Sequence, residues 1–371
     1  MKISPGAMLG LLGGGQLGRM FTMSAQSLGY RVTVLDPGES SPAGTVADRH
    51  LQADYLDPVA LAELAASCAG VTTEFENVPA EALALLERSC VVSPHAESVA
   101  VAQDRIREKQ FLAGNGFAVA PFAVVRNADD LAAASPELFP GILKVARFGY
   151  DGKGQFRIAS REEAHAAWRK LKQEPCVLER MIPLASEVSV VVARGFDGAV
   201  ATFPVAENHH ARGILDLTIV PARVPEAVAR QAREDAVTLA QRFNYQGVLC
   251  VEFFVTEAGA LLVNEIAPRP HNSGHYTIDA CVTSQFEQQV RVLCGLPLGN
   301  TAAHCTAVMV NLLGEVWQRG EPAWEKALAH SNVKLHLYGK REPRPGRKMG
   351  HYTVLAPSRD EALALARQIK Q

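Results

Sequence analysis

Apolar residues fall in short unbroken runs at the start of the chain and in half-polar runs further on. The early runs are "AMLGLL" (7–12), "RVTVL" (31–35), "GVTTEF" (70–75) and "CVVSP" (90–94). Short, wholly apolar runs bounded by turn residues predict strands buried on both faces, as in a parallel sheet. The segments near 16–28, 58–68 and 79–87 read as helices between them. Strand and helix alternate, so residues 1–100 are expected to form a βαβ domain with helices on both faces of one sheet. "SPHAESVAVAQDRIREKQFLAGNG" then predicts a helical connection ending at Gly114 and Gly116.

The texture changes near residue 120. Short strands dominate: "FAVV", "GILKVAR", "GQFRIAS", "CVLERMI", "EVSVVVAR", "VATFPVAE" and "LTIVPAR". Helices near 160–172 and 225–243 interrupt them, and a hairpin at 248–266 and a helix near 277–294 follow. This predicts an antiparallel α+β region over 101–297, with a lobe of its own at about 120–180. Beyond "GLPLGN" the strands "AVMVNLLG", "VKLHLYGK" and "GHYTVLAP" and a helix near 358–369 predict a small C-terminal β-rich domain, 298–371. The sequence holds no internal repeat.

Composition narrows the class. The 371 residues are 48% hydrophobic and 20% charged, with a formal net charge of −2. No global field recruits nucleic acid or an anionic membrane, so neither is an expected partner. The seven cysteines are scattered with no C-x-x-C pair, which predicts reduced core residues and a cytoplasmic protein. Neither a signal peptide nor a membrane span is read from the apolar pattern.

The first candidate site is Gly13–Gly18, "GGGQLG", between a strand and a helix, with Asp36 after the next strand. It has the spacing of a dinucleotide-binding turn. It is equally a helix N-terminus able to hold any other phosphate. Both readings stand at this point.

The hairpin "GVLCVEFFVTEAGALLVNEIAP" is more specific. A two-residue turn at Ala258-Gly259 pairs residues whose numbers sum to 517, and Glu252 and Glu265 do so. Two carboxylates set opposite each other in apolar strands repel. A Mg²⁺ or Mn²⁺ ion between them, with Asn264 nearby, would remove that cost. The alternative is that they reach solvent, or that one pairs with an arginine.

"FGYDGKGQ" (148–155) is a glycine-rich loop whose N–H groups could wrap a polyphosphate, though it lacks the ending of a Walker A loop. Lys144, Glu179 and Glu187 are charges embedded in predicted strands, and they would line one cavity with Glu252 and Glu265 if the strands curve together. "NEIAPRPHNSGHYT" sets Arg269, His271, Asn272, Ser273, Gly274 and His275 before a predicted helix, an anion-binding arrangement. A zinc site on His271 and His275 lacks a third ligand at helical spacing. "YGKREPRPGRKMGH" gathers Lys340, Arg341, Arg344, Arg347, Lys348 and His351, either a solvated loop or a phosphate-holding one.

Taken together, the chain resembles the ATP-grasp enzymes and, within them, the 5-(carboxyamino)imidazole ribonucleotide synthases of purine biosynthesis. The stretches "GGGQLGRM", "TTEFENVP", "DRIREKQ", "FGYDGKGQ", "RPHNSGHYT" and "RPGRKMGH" carry the resemblance, the last two most specifically. It implies an ATP-grasp fold behind an N-terminal Rossmann-like domain, and ATP, bicarbonate and an aminoimidazole ribonucleotide as substrates. It also implies Mg²⁺ as cofactor, a homodimer, and carboxylation by way of carboxyphosphate. Arg105 and Lys144 would meet the ATP phosphates, and Gly149, Tyr150, Asp151, Gly152, Lys153, Gly154 and Gln155 would close over them. Glu179, Arg180, Met181 and Ile182 would run along the adenine, Glu187 would take the ribose, and His210 and Asn264 would add contacts. Glu252 and Glu265 would hold the metal. Arg269, His271, Asn272 and Ser273 match a bicarbonate site. Gly15, Gln16 and Leu17 with Lys340, Arg347 and Lys348 would hold the ribonucleotide phosphate, and Glu74, Tyr150 and Asp151 would adjoin its aminoimidazole. Lys144, Arg269, His271 and Asp151 are the implied catalytic residues. The sequence departs from the family pattern after His210, where Ala211 precedes the expected basic residue, Arg212.

Overall fold

In the computed structural model, residues 2–149, 153–318 and 320–370 are described. The N-terminal strands β1 (Met8–Leu12), β2 (Arg31–Leu35), β3 (Arg49–Leu51), β4 (Gly70–Thr73) and β5 (Val91–Val92) form a parallel sheet in the order β3-β2-β1-β4-β5. Their apolar runs are buried as expected, with Leu9, Leu11, Val32, Val34 and Val71 sealed between helices. The order reverses at β1 and β4, and the crevice beyond their C-terminal ends is where such sheets bind ligands. Gly13 and Glu74, the residues just past those two strands, stand at its mouth. The short polar strand β3 gives no apolar signal and is not among the predicted strands.

The lobe predicted near 120–180 is a four-stranded antiparallel sheet, β6 (Phe122–Val125), β7 (Gly141–Val145), β8 (Gln155–Ile158) and β9 (Cys176–Arg180), in the order β6-β9-β7-β8. Its core is Val125, Leu131, Leu143, Ile158, Trp168 and Leu178. The remaining strands are β10 (Leu184–Arg194), β11 (Val200–Thr202), β12 (Ala206–Ala211), β13 (Ile214–Val220), β14 (Gly247–Thr256), β15 (Leu261–Ala267), β16 (Thr306–Leu313), β17 (Val333–Leu337) and β18 (Lys348–Ala356). They make one nine-stranded sheet. The C-terminal strands therefore build no separate sheet: β16 pairs with β13, from Leu217↔Val310 to Val220↔Ala307. That join carries Lys348, the first residue of β18, to the same surface as β12 to β15.

Three predicted elements divide. The connection after β5 is two helices, Ala96–Ala102 and Arg105–Gly114, because Asp104 caps the second by accepting from Ile106 N at 2.9 Å. The helix expected near 277–294 is Thr277–Ala280 and Gln285–Leu293. Cys281 between them is extended and bridges to Ala303, and Ser284 caps the second helix. The run "VATFPVAE" breaks into β11 and β12 around Pro204, which has no N–H for a ladder. Among the described residues no helix is long and apolar enough to cross a membrane.

Candidate active site

The hairpin β14–β15 places Glu252 directly opposite Glu265, by a route the sequence did not suggest. Its loop holds three residues rather than two. Gly259 N donates to Thr256 O at 2.8 Å, Thr256 N donates to Ala260 O at 2.9 Å, and Gly259 has φ of +82°. This is a type I turn closed by a left-handed glycine. Its register pairs Val255 with Leu261 and Phe253 with Val263, which alone would leave Asn264 facing Glu252. A bulge at Asn264 restores the register, and Glu265 takes that place.

The two glutamates lie in a cleft of about 610 Å³ between the lobe and the large sheet. Arg105, Lys144, Gly149, Gln155, Glu187, His210, Asn264, Arg269, His271, Asn272 and Lys348 also line it. An adjoining cavity of about 1000 Å³ is lined by Glu179, Arg180, Met181 and Ile182. The two share Ile142, Lys144, Arg157, Leu184 and Phe254, so they form one continuous groove.

Ion pairs and hydrogen bonds hold the cleft's charges. Arg105 Nη1 meets Glu265 Oε2 at 2.7 Å, His271 Nε2 meets Glu252 Oε1 at 3.2 Å, and His210 Nδ1 meets Glu187 Oε2 at 3.2 Å. Lys144 Nζ stands 3.2 Å from Glu179 Oε2, and Arg269 is paired with Glu76. Burial, then the facing Glu265, push the Glu252 carboxyl up. Burial acts the same way on Glu265, but Arg105 outweighs it and holds that carboxyl low. Burial, then Arg269 and Lys348, keep His271 well below the ordinary histidine value, so it is a neutral imidazole here. Burial also lowers the Lys144 ammonium, against the pull of Glu179.

Three residues of this network were absent from the sequence reading. Lys109, almost wholly buried, reaches Glu179 at 3.4 Å and donates to the Asn264 carbonyl at 2.8 Å. Glu108 accepts from Ile266 N at 2.6 Å, and Glu76 anchors Arg269. Arg105, Glu108 and Lys109 share one face of a helix at i, i+3 and i+4. A charged helix reads as a solvated one unless Leu112, three residues after Lys109 on the same side, is taken as a sign that this face is buried.

The glycine turn is occupied from within. The Glu74 carboxylate accepts from Gly15 N at 2.7 Å and Gly18 N at 3.0 Å, and Asp36 accepts from Gly14 N at 2.7 Å and Tyr55 Oη at 2.9 Å. A dinucleotide pyrophosphate would need those N–H groups, and its ribose would need Asp36. The dinucleotide reading of Gly13–Gly18 therefore has no site here. Lys340 and Arg269 act on Glu74 across the same space, which links the turn to the cleft.

Ser273 is buried behind the cleft, bonded to Ser189 Oγ at 2.8 Å and His271 Nδ1 at 2.9 Å. Lys153 and Gly154 lie at the mouth of β8, while Tyr150, Asp151 and Gly152 fall outside the described residues. The six-residue basic loop is narrower than expected. His351 is fully buried inside β18, Arg344 pairs with Glu342, and Arg347 Nη1 donates to Glu342 O at 2.9 Å. Lys340 Nζ donates to Lys348 O at 2.7 Å, which brings the two ends of the loop together.

A groove between two antiparallel sheets, with facing carboxylates and buried lysines, defines an ATP-grasp enzyme, and residues 110–286 match the ATP-grasp domain. Residues 7–103 match the ribonucleotide synthetase preATP-grasp domain and residues 307–365 the phosphoribosylaminoimidazole carboxylase C-terminal domain. The N5-carboxyaminoimidazole ribonucleotide synthase of Bacillus subtilis is 45% identical over 360 residues, covering 97% of this chain and 94% of that one. The Staphylococcus aureus N5-carboxyaminoimidazole synthetase complexed with ADP superposes with a TM-score of 0.93 at 38% identity, covering 100% of this chain and 98% of that one. The Aspergillus clavatus enzyme in complex with ADP and 5-aminoimidazole ribonucleotide gives 0.89 at 32% identity, covering 98% and 97%. The chain belongs to the N5-carboxyaminoimidazole ribonucleotide synthases, ATP-dependent ligases of purine biosynthesis.

Proposed function

We propose that the chain couples ATP cleavage to carboxylation of the exocyclic amine of 5-aminoimidazole ribonucleotide, with bicarbonate as the carbon source. The observation that carries this reading is the Glu252–Glu265 pair in the cleft, beside Arg105 and Lys144, the last of which also lines the adjoining cavity. The nucleotide would lie along Arg180, Met181 and Ile182, with Glu187 and His210 at the ribose and the phosphates toward Lys144 and Arg105.

A divalent cation fits the facing pair. Both groups are oxygen donors, and Asn264 Oδ1 beside them is buried without a hydrogen-bond partner. When bound, Mg²⁺ or Mn²⁺ supplies charge neutralisation to the phosphate tail. Lys144 and Arg105 hold the γ-phosphoryl oxygens in the orientation for attack. Bicarbonate would sit between Arg269, fixed by Glu76, and Asn272, whose two side-chain polar atoms are buried and unpartnered. Its oxygen attacks the γ-phosphorus and ADP leaves; the amine nitrogen then attacks the carboxyl carbon of carboxyphosphate, the C–O bond to phosphate breaks, inorganic phosphate leaves and the amine gives up one proton. His271, kept neutral by burial and bonded to Glu252 at 3.2 Å, would orient that carboxylate. The loop 149–155 would shield the intermediate from water.

The ribonucleotide phosphate would be held by Lys340, Arg347, Lys348 and the turn at Gln16 and Leu17, since Gly15 N already bonds Glu74. On this reading the chain works in the cytoplasm as a homodimer, and its seven cysteines are free. ADP release and incorporation of labelled bicarbonate, measured with each substrate omitted in turn, test the assignment. Both should require the aminoimidazole ribonucleotide. Turnover indifferent to it, but dependent on formate or biotin, would overturn the reading in favour of a sibling ligase.

A further inference from the structure

A second side-chain cluster lies outside the nucleotide cleft, on the far side of the segment that carries His271 and Ser273. His336 and His351 face each other directly across β17 and β18, their rings stacked with centroids 4.6 Å apart and planes at 17°. His275 and Asp279 are one helical turn apart on the segment packed against them, so they present to the same side. Asp279 Oδ2 meets His336 Nε2 at 2.8 Å, and the His275 ring lies 4.8 Å from that of His351. Donor atoms of Asp279, His336 and His351 all fall within 4.8 Å of one another.

Two features distinguish this cluster from ordinary core packing. His351 is fully buried, yet its Nε2 has no hydrogen-bond partner, and the same holds for His275 Nε2. A buried polar nitrogen left unpaired is costly and rare. His351 Nδ1 also lies 2.8 Å from the Tyr338 hydroxyl. With the proton on Nδ1 and donated to Tyr338, Nε2 presents its lone pair, the outer-shell arrangement that orients a metal-binding histidine.

We propose that Asp279, His336 and His351 form a divalent transition-metal site of the zinc type, with the His275 ring packed beside it. Two or three imidazoles with one carboxylate are a zinc donor set. A tetrahedral ion about 2.0 Å from each donor holds them roughly 3.3 Å apart, a contraction that small side-chain rotations supply. His336 and Asp279 are part-exposed and give the ion a way in. Sequence spacing hides the site, because it sets His275 beside His271, whose ring turns instead to Ser273 and Glu252.

The test is a competition for Zn²⁺ between the metal-stripped chain and a chromophoric chelator, with excess Mg²⁺ present for the carboxylate pair. Co²⁺ serves in parallel as a visible reporter of tetrahedral ligation. Wild type and Glu265→Gln should each take one Zn²⁺ from the chelator, so the result does not depend on the ligase assignment. His336→Ala and Asp279→Asn, at part-exposed positions that spare the buried His351 ring, should lose affinity at least a hundredfold while keeping the wild-type circular dichroism. Failure of wild type to take Zn²⁺, or equal uptake by wild type and both variants, would overturn the proposal and leave a stack of neutral imidazoles.

Discussion

Glu252 faces Glu265 because Asn264 is bulged out of the ladder between β14 and β15. The three-residue loop and the bulge each shift the register by one, and their effects cancel. Deleting Asn264 should therefore keep the two acids opposed, since the loop register alone then pairs them. It removes the carbonyl that Lys109 bonds and the unpartnered amide oxygen beside the pair. A fold-retaining deletion with the KM for MgATP raised about tenfold, the worth of one good hydrogen bond, is expected from steady-state kinetics. An unchanged KM would deny Asn264 a part in nucleotide binding.

Glu179 balances two buried ammonium groups, Lys109 at 3.4 Å and Lys144 at 3.2 Å. Glu179→Gln leaves both uncompensated and should cost about 3 kcal/mol in urea denaturation. Adding Lys144→Met should recover part of that loss, because one stranded charge is removed. Additive losses in the double variant would show that the pair is not coupled.

Glu108 is buried close to Glu265, and burial, then Glu265, push its carboxyl up to about 8 from 4.5. Such a group binds its proton more tightly in the folded chain, so its stabilising contribution is full below pH 4.5 and fades as the pH climbs to about 8. Glu108→Gln stays neutral and keeps an oxygen for Ile266 N. In ligand-free thermal unfolding it should match wild type below pH ~4.5 and exceed it by roughly 3–5 kcal/mol near pH ~9. Parallel curves across that range would contradict the shift.

Gly15 has ordinary backbone angles, φ −76° and ψ −165°, yet a methyl group there would stand 2.3 Å from Glu74 Oε1. Gly15→Ala should then destabilise by about 1–3 kcal/mol through that clash alone. Gly15→Ala with Glu74→Ala should lose less than the two single changes together, as a thermal-shift series would show. Full additivity would mean that Glu74 does not fill the turn.

Much of the fold was legible because strands buried on both faces announce themselves as apolar runs, as β1, β2 and β4 do. The join of β13 to β16 was not, since it links segments some ninety residues apart and no local pattern records that pairing. The break at Cys281 depends on the same distant chain, through Ala303. In the site, the opposed glutamates followed from hairpin arithmetic, though the turn and the bulge both departed from it. Glu108 and Lys109 stayed hidden because burial of charge is a tertiary fact: "RIREKQ" looks solvated until the sheet packs over it. Local spacing cannot tell that Asp36 and Glu74 bond the glycine turn, because both bonds join segments more than twenty residues apart.

Calorimetric titration of ATP with and without Mg²⁺, into wild type and Glu265→Gln, probes the opposed acids most directly. Wild type should bind ATP at least tenfold more tightly when Mg²⁺ is present, and the variant should lose that gain while still binding ATP alone. A variant that keeps the full Mg²⁺-dependent gain would contradict the assignment of this pair as the seat of the metal.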